Sequence, residues 1–155
     1  MRKLKEKLSA KLSKTGGFTL IEMLIVVAII AILVAISIPL VNHALERARD
    51  ATDQANERSA KAEAVLCFMG LAEDSSGAAI TTTTGDFWYD AAKGALIPSA
   101  ATGNKPGTGY GQCTGVHATG YTPTFMSTNG TAAKKGLVLK VNIAATTGVI
   151  SMTWE

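Results

Sequence analysis

The sequence predicts an α+β protein in which one long N-terminal α-helix packs on a small antiparallel β-sheet headpiece. Residues 18–41 are almost wholly apolar and residues 40–69 contain neither glycine nor proline, which together predict one helix from about residue 19 to residue 69. From residue 71 the composition changes to Gly, Ala, Ser and Thr, and strand-like alternation returns near the C-terminus. A chain of 155 residues has room for one small headpiece of this kind.

Positive charge is concentrated in the first 17 residues, which carry six Lys or Arg side chains against one Glu. The whole chain has a net charge of +3, so residues 18–155 are slightly acidic. The pI of about 8.9 therefore arises from this leader and does not indicate a nucleic-acid partner. An apolar fraction of 47% excludes a disordered chain, and two cysteines exclude a disulfide-dense miniprotein.

The apolar run over residues 18–41 predicts a single membrane span. Fourteen consecutive apolar residues lie between Met23 and Ile36, and no polar face interrupts them. A bilayer core of about 30 Å needs about 20 apolar helical residues. Because Lys and Arg cluster ahead of the run, we expect the N-terminus in the cytoplasm and residues 42–155 on the other side.

Three interpretations of this span compete: an ordinary signal peptide cut near Ser37, a plain membrane anchor that keeps its leader, and a segment cut before Phe18. Glu22 distinguishes them, because an acidic side chain at mid-membrane costs roughly 2.5–3.5 kcal/mol. Glu22 either lies at the headgroups near the helix end or meets a cation in an assembly. A cut between Gly17 and Phe18 would create such a cation, the new α-amino group.

The segment Gly17-Phe18-Thr19-Leu20-Ile21-Glu22-Met23-Leu24, after a short basic leader, resembles the class III signal of type IV prepilins and type II secretion pseudopilins. The resemblance covers residues 1 to about 45. It implies cleavage after Gly17 by an aspartyl prepilin peptidase and N-methylation of Phe18. It also implies that Glu22 pairs with the N-terminal amine of a neighbouring subunit during filament assembly, and that Pro39 kinks the helix.

The resemblance implies a structural filament subunit rather than an enzyme, most simply a type IV pilin. Adhesion, motility or DNA uptake would then belong to the assembled filament. The implied partners are other pilin subunits, the prepilin peptidase and methyltransferase, the membrane before assembly, and an inner-membrane assembly platform with its ATPase. The implied location is first the cytoplasmic membrane and then an extracellular filament. The alternatives are a type II secretion pseudopilin and a plain membrane-anchored binding protein.

The sequence divides into a cleaved leader (1–17), an apolar helix (18–41), an amphipathic helix (42–70) and a globular headpiece (71–155). In the amphipathic half, small apolar residues recur at steps of three and four, and we expect this stripe to face the sheet. The stripe comprises Ala44, Ala48, Ala51, Ala55, Ala62 and Val65.

Strand signals are strongest at the C-terminus. Alternation over 137–143 and the apolar run over 149–154 predict a hairpin, and a third strand is expected near 121–127. The aromatic cluster 87–89 is interpreted as the anchor of a long loop on the helix, because aromatic side chains mostly supply core area.

Cys67 and Cys113 form a candidate disulfide, because a lone pair of cysteines in an exported chain favours one. It would tie the end of the helix to the middle of the headpiece. The alternative is two buried free thiols.

Other candidate chemistry is weak. His43 and His117 have no second ligand at metal spacing, and no nucleophile set or phosphate loop is present, so we expect no metal, no cofactor and no enzymatic activity. Lys134, Lys135 and Lys140 form a small basic group, which we interpret as a solvated face; nucleic acid is not an expected partner.

Overall fold

The computed structural model describes residues 17–99, 105–129 and 132–155. It confirms the α+β class, with one long helix and a four-stranded antiparallel sheet. The chain divides into two compact units, Met1–Val41 and Asn42–Glu155. Of the predicted leader, all but Gly17 lies outside the described residues.

The long helix is Leu20–Phe68, close to the predicted span of 19–69. Gly70 follows just beyond the last helical residue, and its φ of 73° is the left-handed conformation that glycine adopts without strain. Gly70 N donates to Cys67 O at 2.9 Å and Leu71 N donates to Leu66 O at 2.9 Å. These two bonds form a Schellman motif, which satisfies the last helical carbonyls.

Pro39 lies inside this helix, and the helical assignment continues on both sides of it. The proline ring has no N–H, so the carbonyl of Ala35 loses its helical donor. Two residues before Pro39, Ser37 Oγ donates to Leu33 O at 2.6 Å. The kink expected at Pro39 stays a prediction.

The sheet has the order β2-β1-β3-β4, and every neighbouring pair is antiparallel. Its strands are β1 (Gly85–Asp90), β2 (Ala95–Pro98), β3 (Leu139–Ile143) and β4 (Ile150–Trp154). The predicted C-terminal hairpin is present as β3 and β4, with Leu139 opposite Trp154 and Ile143 opposite Ile150.

The structure corrects two predictions for the headpiece. The aromatic cluster forms the centre of β1 and is not a loop anchor: Phe87 and Tyr89 enter the core, while Trp88 points to the other face. The strand expected near 121–127 is absent, and this segment has no regular secondary structure. Within it, Met126 N donates to Glu57 Oε2 on the helix and Tyr121 N donates to Ala118 O.

The helix face that packs in the headpiece is also different from the predicted one. The alanine stripe and Val65 are exposed. The buried residues follow steps of four and three, and they are Glu46, Asp50, Asp53, Glu57, Ala60, Ala64 and Cys67. Ala60, Ala64 and Cys67 of this buried face pack with the sheet in the hydrophobic core. The other four residues of the face carry carboxylates.

Donors in the irregular segments and in β4 bond to three of these carboxylates, those of Glu46, Asp53 and Glu57. Asp53 accepts hydrogen bonds from Gln112 N and Cys113 N at 2.7–3.0 Å. Glu57 accepts from Met126 N at 2.6 Å and from Trp154 Nε1 at 2.8 Å. The carboxylates are therefore buried because they hold the loops, a role that hydrophobic periodicity does not reveal.

Lys134 is buried with these acids, so its interpretation as part of a solvated face is wrong. Its Nζ lies 3.5 Å from the centroid of the Phe125 ring and donates to Ala132 O. Burial lowers the pKa of Lys134, while the nearby carboxylates, including Asp53 and Glu57, oppose that shift. Lys140 instead pairs at the surface with Asp86 at 3.2 Å.

Candidate processing and assembly site

The predicted cleavage point lies directly ahead of the helix. Gly17 and Phe18 precede the first helical residue and are exposed, Phe18 to 79% of its surface. A peptidase needs an accessible substrate, and the exposure of Gly17 and Phe18 meets that requirement. Cleavage here and methylation of Phe18 stay predictions.

Thr19 and Glu22 form a reciprocal cap at the start of the helix. Thr19 N and Thr19 Oγ1 both donate to Glu22 Oε2, at 2.7 and 2.8 Å, and Glu22 N donates back to Thr19 Oγ1 at 3.3 Å. This is a capping box, in which two orphan donors of the first turn are satisfied. The sequence analysis missed the role of Thr19, although the Thr-x-x-Glu pattern carries the signal.

Glu22 therefore lies in the first turn, where the helix dipole favours a negative charge. This placement agrees with the alternative that the carboxylate lies near the helix end. Pairing with a neighbouring subunit's amine is compatible with the same position and stays a prediction.

Between Glu22 and Val41 every residue of the helix is apolar except Ser37. Every residue from 17 to 41 is exposed, and the helix is long and apolar enough to cross a membrane by length and composition. Apolar area left in water costs about 25 cal/mol per Å². The segment therefore requires lipid or other apolar helices around it, which fits membrane anchoring.

The predicted disulfide between Cys67 and Cys113 is absent, and both are free, buried thiols, the alternative left open above. Cys113 N bonds to Asp53, which precedes Cys67 by 14 helical residues. That separation is about 21 Å at 1.5 Å per residue. A disulfide needs Cα atoms within about 7 Å, so the long helix itself keeps the two cysteines apart.

His117 has partners that the sequence analysis did not find. Its Nε2 lies 3.2 Å from Asp50 Oδ1 and 3.8 Å from Cys113 Sγ. The expectation that neither histidine has a second ligand nearby is therefore wrong for His117, whereas His43 is exposed. The signal was available as two residue pairs four apart, Glu46 with Asp50 and Cys113 with His117, but sequence alone did not bring the two pairs together.

A comparison with protein families matches residues 12–38 to the model described as the prokaryotic N-terminal methylation motif. No curated protein and no solved structure matches the chain. The matched range includes the predicted cleavage point, the capping box and most of the exposed apolar segment. The chain thus carries the class III signal peptide of type IV pilins and pseudopilins, followed by a long apolar helix.

Proposed function

We propose that this chain is a structural subunit of a type IV pilus filament. In this proposal it is cleaved between Gly17 and Phe18, methylated on the nitrogen of Phe18, and incorporated with many copies of itself. The observation that carries the proposal is the methylation motif at residues 12–38, which includes the start of a long apolar helix whose residues up to Val41 are all exposed.

The exposed apolar surface gives the proposal its physical basis. Before assembly, lipid covers residues 18–41, with the basic leader held in the cytoplasm. After extraction from the membrane the same surface needs another apolar environment, which a bundle of identical helices supplies. Small and β-branched side chains, such as Ala28, Ala31 and Val27, allow such helices to approach closely.

Glu22 supplies the polar contact in this bundle. Cleavage leaves a free amine on Phe18, and the Glu22 carboxylate of a neighbouring copy pairs with it. The capping box supports this role because it already orients the carboxylate at the helix start. An ion pair inside an apolar bundle is favourable only at close contact, so it sets one axial register between neighbours.

The first test is mass spectrometry of the N-terminus in two fractions, filaments sheared from cells and membranes. We expect a peptide that begins at methylated Phe18 in the sheared fraction. The same peptide found only in membranes would replace the pilus assignment with a type II secretion pseudopilin. An uncut Met1 leader would refute both and leave a membrane-anchored protein.

A matched pair of variants tests the role of Glu22. Glu22→Gln keeps an oxygen that can accept the capping hydrogen bonds and removes the charge. Thr19→Ala removes the hydroxyl of the cap and keeps the charge, at a cost of about 0.5–2 kcal/mol to the helix. We expect both variants to be processed, Thr19→Ala to form filaments and Glu22→Gln to form few. Normal filaments from Glu22→Gln would refute the amine pairing, as would equal loss from both variants.

The proposal includes the partners that such a filament requires: the prepilin peptidase and methyltransferase, an inner-membrane assembly platform and its ATPase. The filament is extracellular, and adhesion or motility are properties of the assembly. The subunit itself is a structural protein and not an enzyme.

A further inference from the structure

Four side chains with metal-binding atoms meet where the amphipathic part of the helix contacts the irregular segment 110–121. Glu46 and Asp50 come from consecutive turns of the helix, and Cys113 and His117 come from the segment. One ligand atom of each lies within 4.8 Å of all the others. Glu46, Asp50 and Cys113 are buried, and the His117 side chain is 12% exposed.

Asp50 has an unused acceptor in this cluster. The residue is fully buried, and within the described part of the chain its Oδ2 makes no hydrogen bond. Its Oδ1 lies 3.2 Å from His117 Nε2, and the side chains of Cys113 and Tyr121 also interact with the Asp50 carboxylate. A buried carboxylate oxygen without a partner is unfavourable, so a cation that binds the Asp50 carboxylate would remove this penalty.

The local charge also favours a cation. Glu46, Asp50, Asp53 and Glu57 are buried carboxylates, and Lys134 is the one cation buried with them in residues 17–99, 105–129 and 132–155. Arg49 pairs with Glu46 at 3.1 Å from a more exposed position. Carboxylates therefore outnumber cations in this buried group, which favours the binding of a metal ion.

We propose that Glu46, Asp50, Cys113 and His117 bind one Zn²⁺ ion. A thiolate, an imidazole and two carboxylates form a donor set that suits Zn²⁺, which favours sulfur and nitrogen ligands over the all-oxygen sites of Ca²⁺ and Mg²⁺.

The distances agree with a tetrahedral ion. Zn–S of about 2.3 Å and Zn–N or Zn–O of about 2.0–2.2 Å imply ligand separations of about 3.6 Å for sulfur to nitrogen and about 3.4 Å for oxygen to nitrogen. The observed separations are 3.8 Å from Cys113 Sγ to His117 Nε2 and 3.2 Å from Asp50 Oδ1 to the same nitrogen. These separations are close to those around one tetrahedral ion, and one ligand atom of each of the four residues lies within 4.8 Å of the others.

Glu46 has the capacity to be the fourth ligand. A carboxylate has about four acceptor positions. Thr114 N and Gly115 N donate to Glu46 Oε1, and Arg49 donates to Oε2, which leaves one position. These donors fix the carboxylate in the way that outer hydrogen bonds orient metal ligands.

Zn²⁺ binding exchanges a proton for the metal. A free cysteine has a pKa of about 8.5, so a thiol without bound metal carries its proton at neutral pH. When the Zn–S bond forms, the S–H bond breaks and one proton leaves to the buffer. No oxidant or reductant is involved. The ion would cross-link the helix to segment 113–117. The predicted disulfide was expected to join the same segment to the C-terminal end of the helix.

The test uses the full chain in detergent micelles, freed of metal with a chelator and titrated with Zn²⁺ by calorimetry. We expect one ion per chain, proton release in buffers of different ionisation enthalpy, and a higher unfolding temperature with Zn²⁺. Co²⁺ in place of Zn²⁺ should give a thiolate-to-cobalt charge-transfer band and the visible bands of a tetrahedral ion.

The chain provides matched controls, since it has one further cysteine and one further histidine. Cys113→Ser and His117→Ala should each weaken Zn²⁺ binding by more than about 100-fold, beyond the range of changes at outer partners. Cys67→Ser and His43→Ala should bind as the wild type does.

Three results would overturn the proposal. They are no Zn²⁺ binding by the wild type, a Co²⁺ complex without the thiolate band, or equal loss of binding in the control variants. The Co²⁺ spectrum of the wild type decides the question even if a ligand variant fails to fold. None of these readouts depends on filament assembly, so the proposed function is tested separately.

Discussion

Replacing Glu57 by Gln tests whether buried carboxylates hold the headpiece loops to the helix. Glu57 Oε1 accepts hydrogen bonds from Ser127 Oγ at 2.5 Å and Trp154 Nε1 at 2.8 Å, and Oε2 accepts one from Met126 N at 2.6 Å. A glutamine has only one acceptor oxygen. If that oxygen faces Met126, the amide N–H₂ opposes the indole N–H; if it faces the indole, the N–H₂ opposes Met126 N. Either orientation leaves one buried donor unpaired.

An unpaired buried donor costs about 1–3 kcal/mol, so we expect Glu57→Gln to lower the free energy of unfolding by about 2 kcal/mol. For a domain of this size that corresponds to a midpoint lower by roughly 8–16 °C. The measurement is thermal and urea unfolding of the full chain in micelles, followed by tryptophan fluorescence, since Trp154 is a partner in the contact.

Glu63→Gln is the matched control, because Glu63 lies on the same helix in a half-buried position. We expect it to change stability by less than about 0.5 kcal/mol. If Glu57→Gln is as stable as this control, the carboxylate does not hold the loops and the account of the buried acidic face is wrong.

Two further predictions concern the headpiece. Gly109→Ala should destabilise it strongly, because a Cβ there would overlap the carbonyl of Gly136, whereas Gly107→Ala, with open space around it, should be nearly neutral by urea unfolding. The hydrogen bond from Asn142 holds the pKa of Asp86 below its usual value of 3.8. Its contribution to stability is therefore complete above pH 3.8 and lost as the pH falls through the lowered pKa. We expect Asn142→Ala to reduce this loss, and equal acid sensitivity of variant and wild type would contradict the assignment.

Sequence reasoning found the elements that local patterns specify. The helix end at Gly70 and the hairpin of β3 and β4 follow from neighbouring residues, and both are confirmed. It missed β1 and β2, because the Phe87–Tyr89 cluster gives the same apolar signal in a strand as in a loop anchor. The pairing of β1 with β3 joins residues more than 50 positions apart, which no local pattern encodes.

The buried helix face could not be predicted from hydrophobic periodicity, because its first four members are carboxylates. Their partners include backbone N–H groups, such as those of Cys113 and Met126. Because almost every residue has a backbone N–H, the sequence does not show which of these groups will meet a carboxylate. The cluster around His117 was missed for the same reason. Two pairs of residues, each four apart, become one site only after the loop is held against the helix.

The buried carboxylates also determine which changes the loop sequence tolerates. Three of the carboxylates, those of Glu46, Asp53 and Glu57, accept hydrogen bonds from main-chain N–H groups. These groups include Thr114 N and Met126 N, and every amino acid except proline has such a donor. Their hold on the loop therefore makes no demand on the side chains at 114 and 126, except that neither residue becomes proline. The side chains at these two positions can therefore change while the path of the main chain stays fixed.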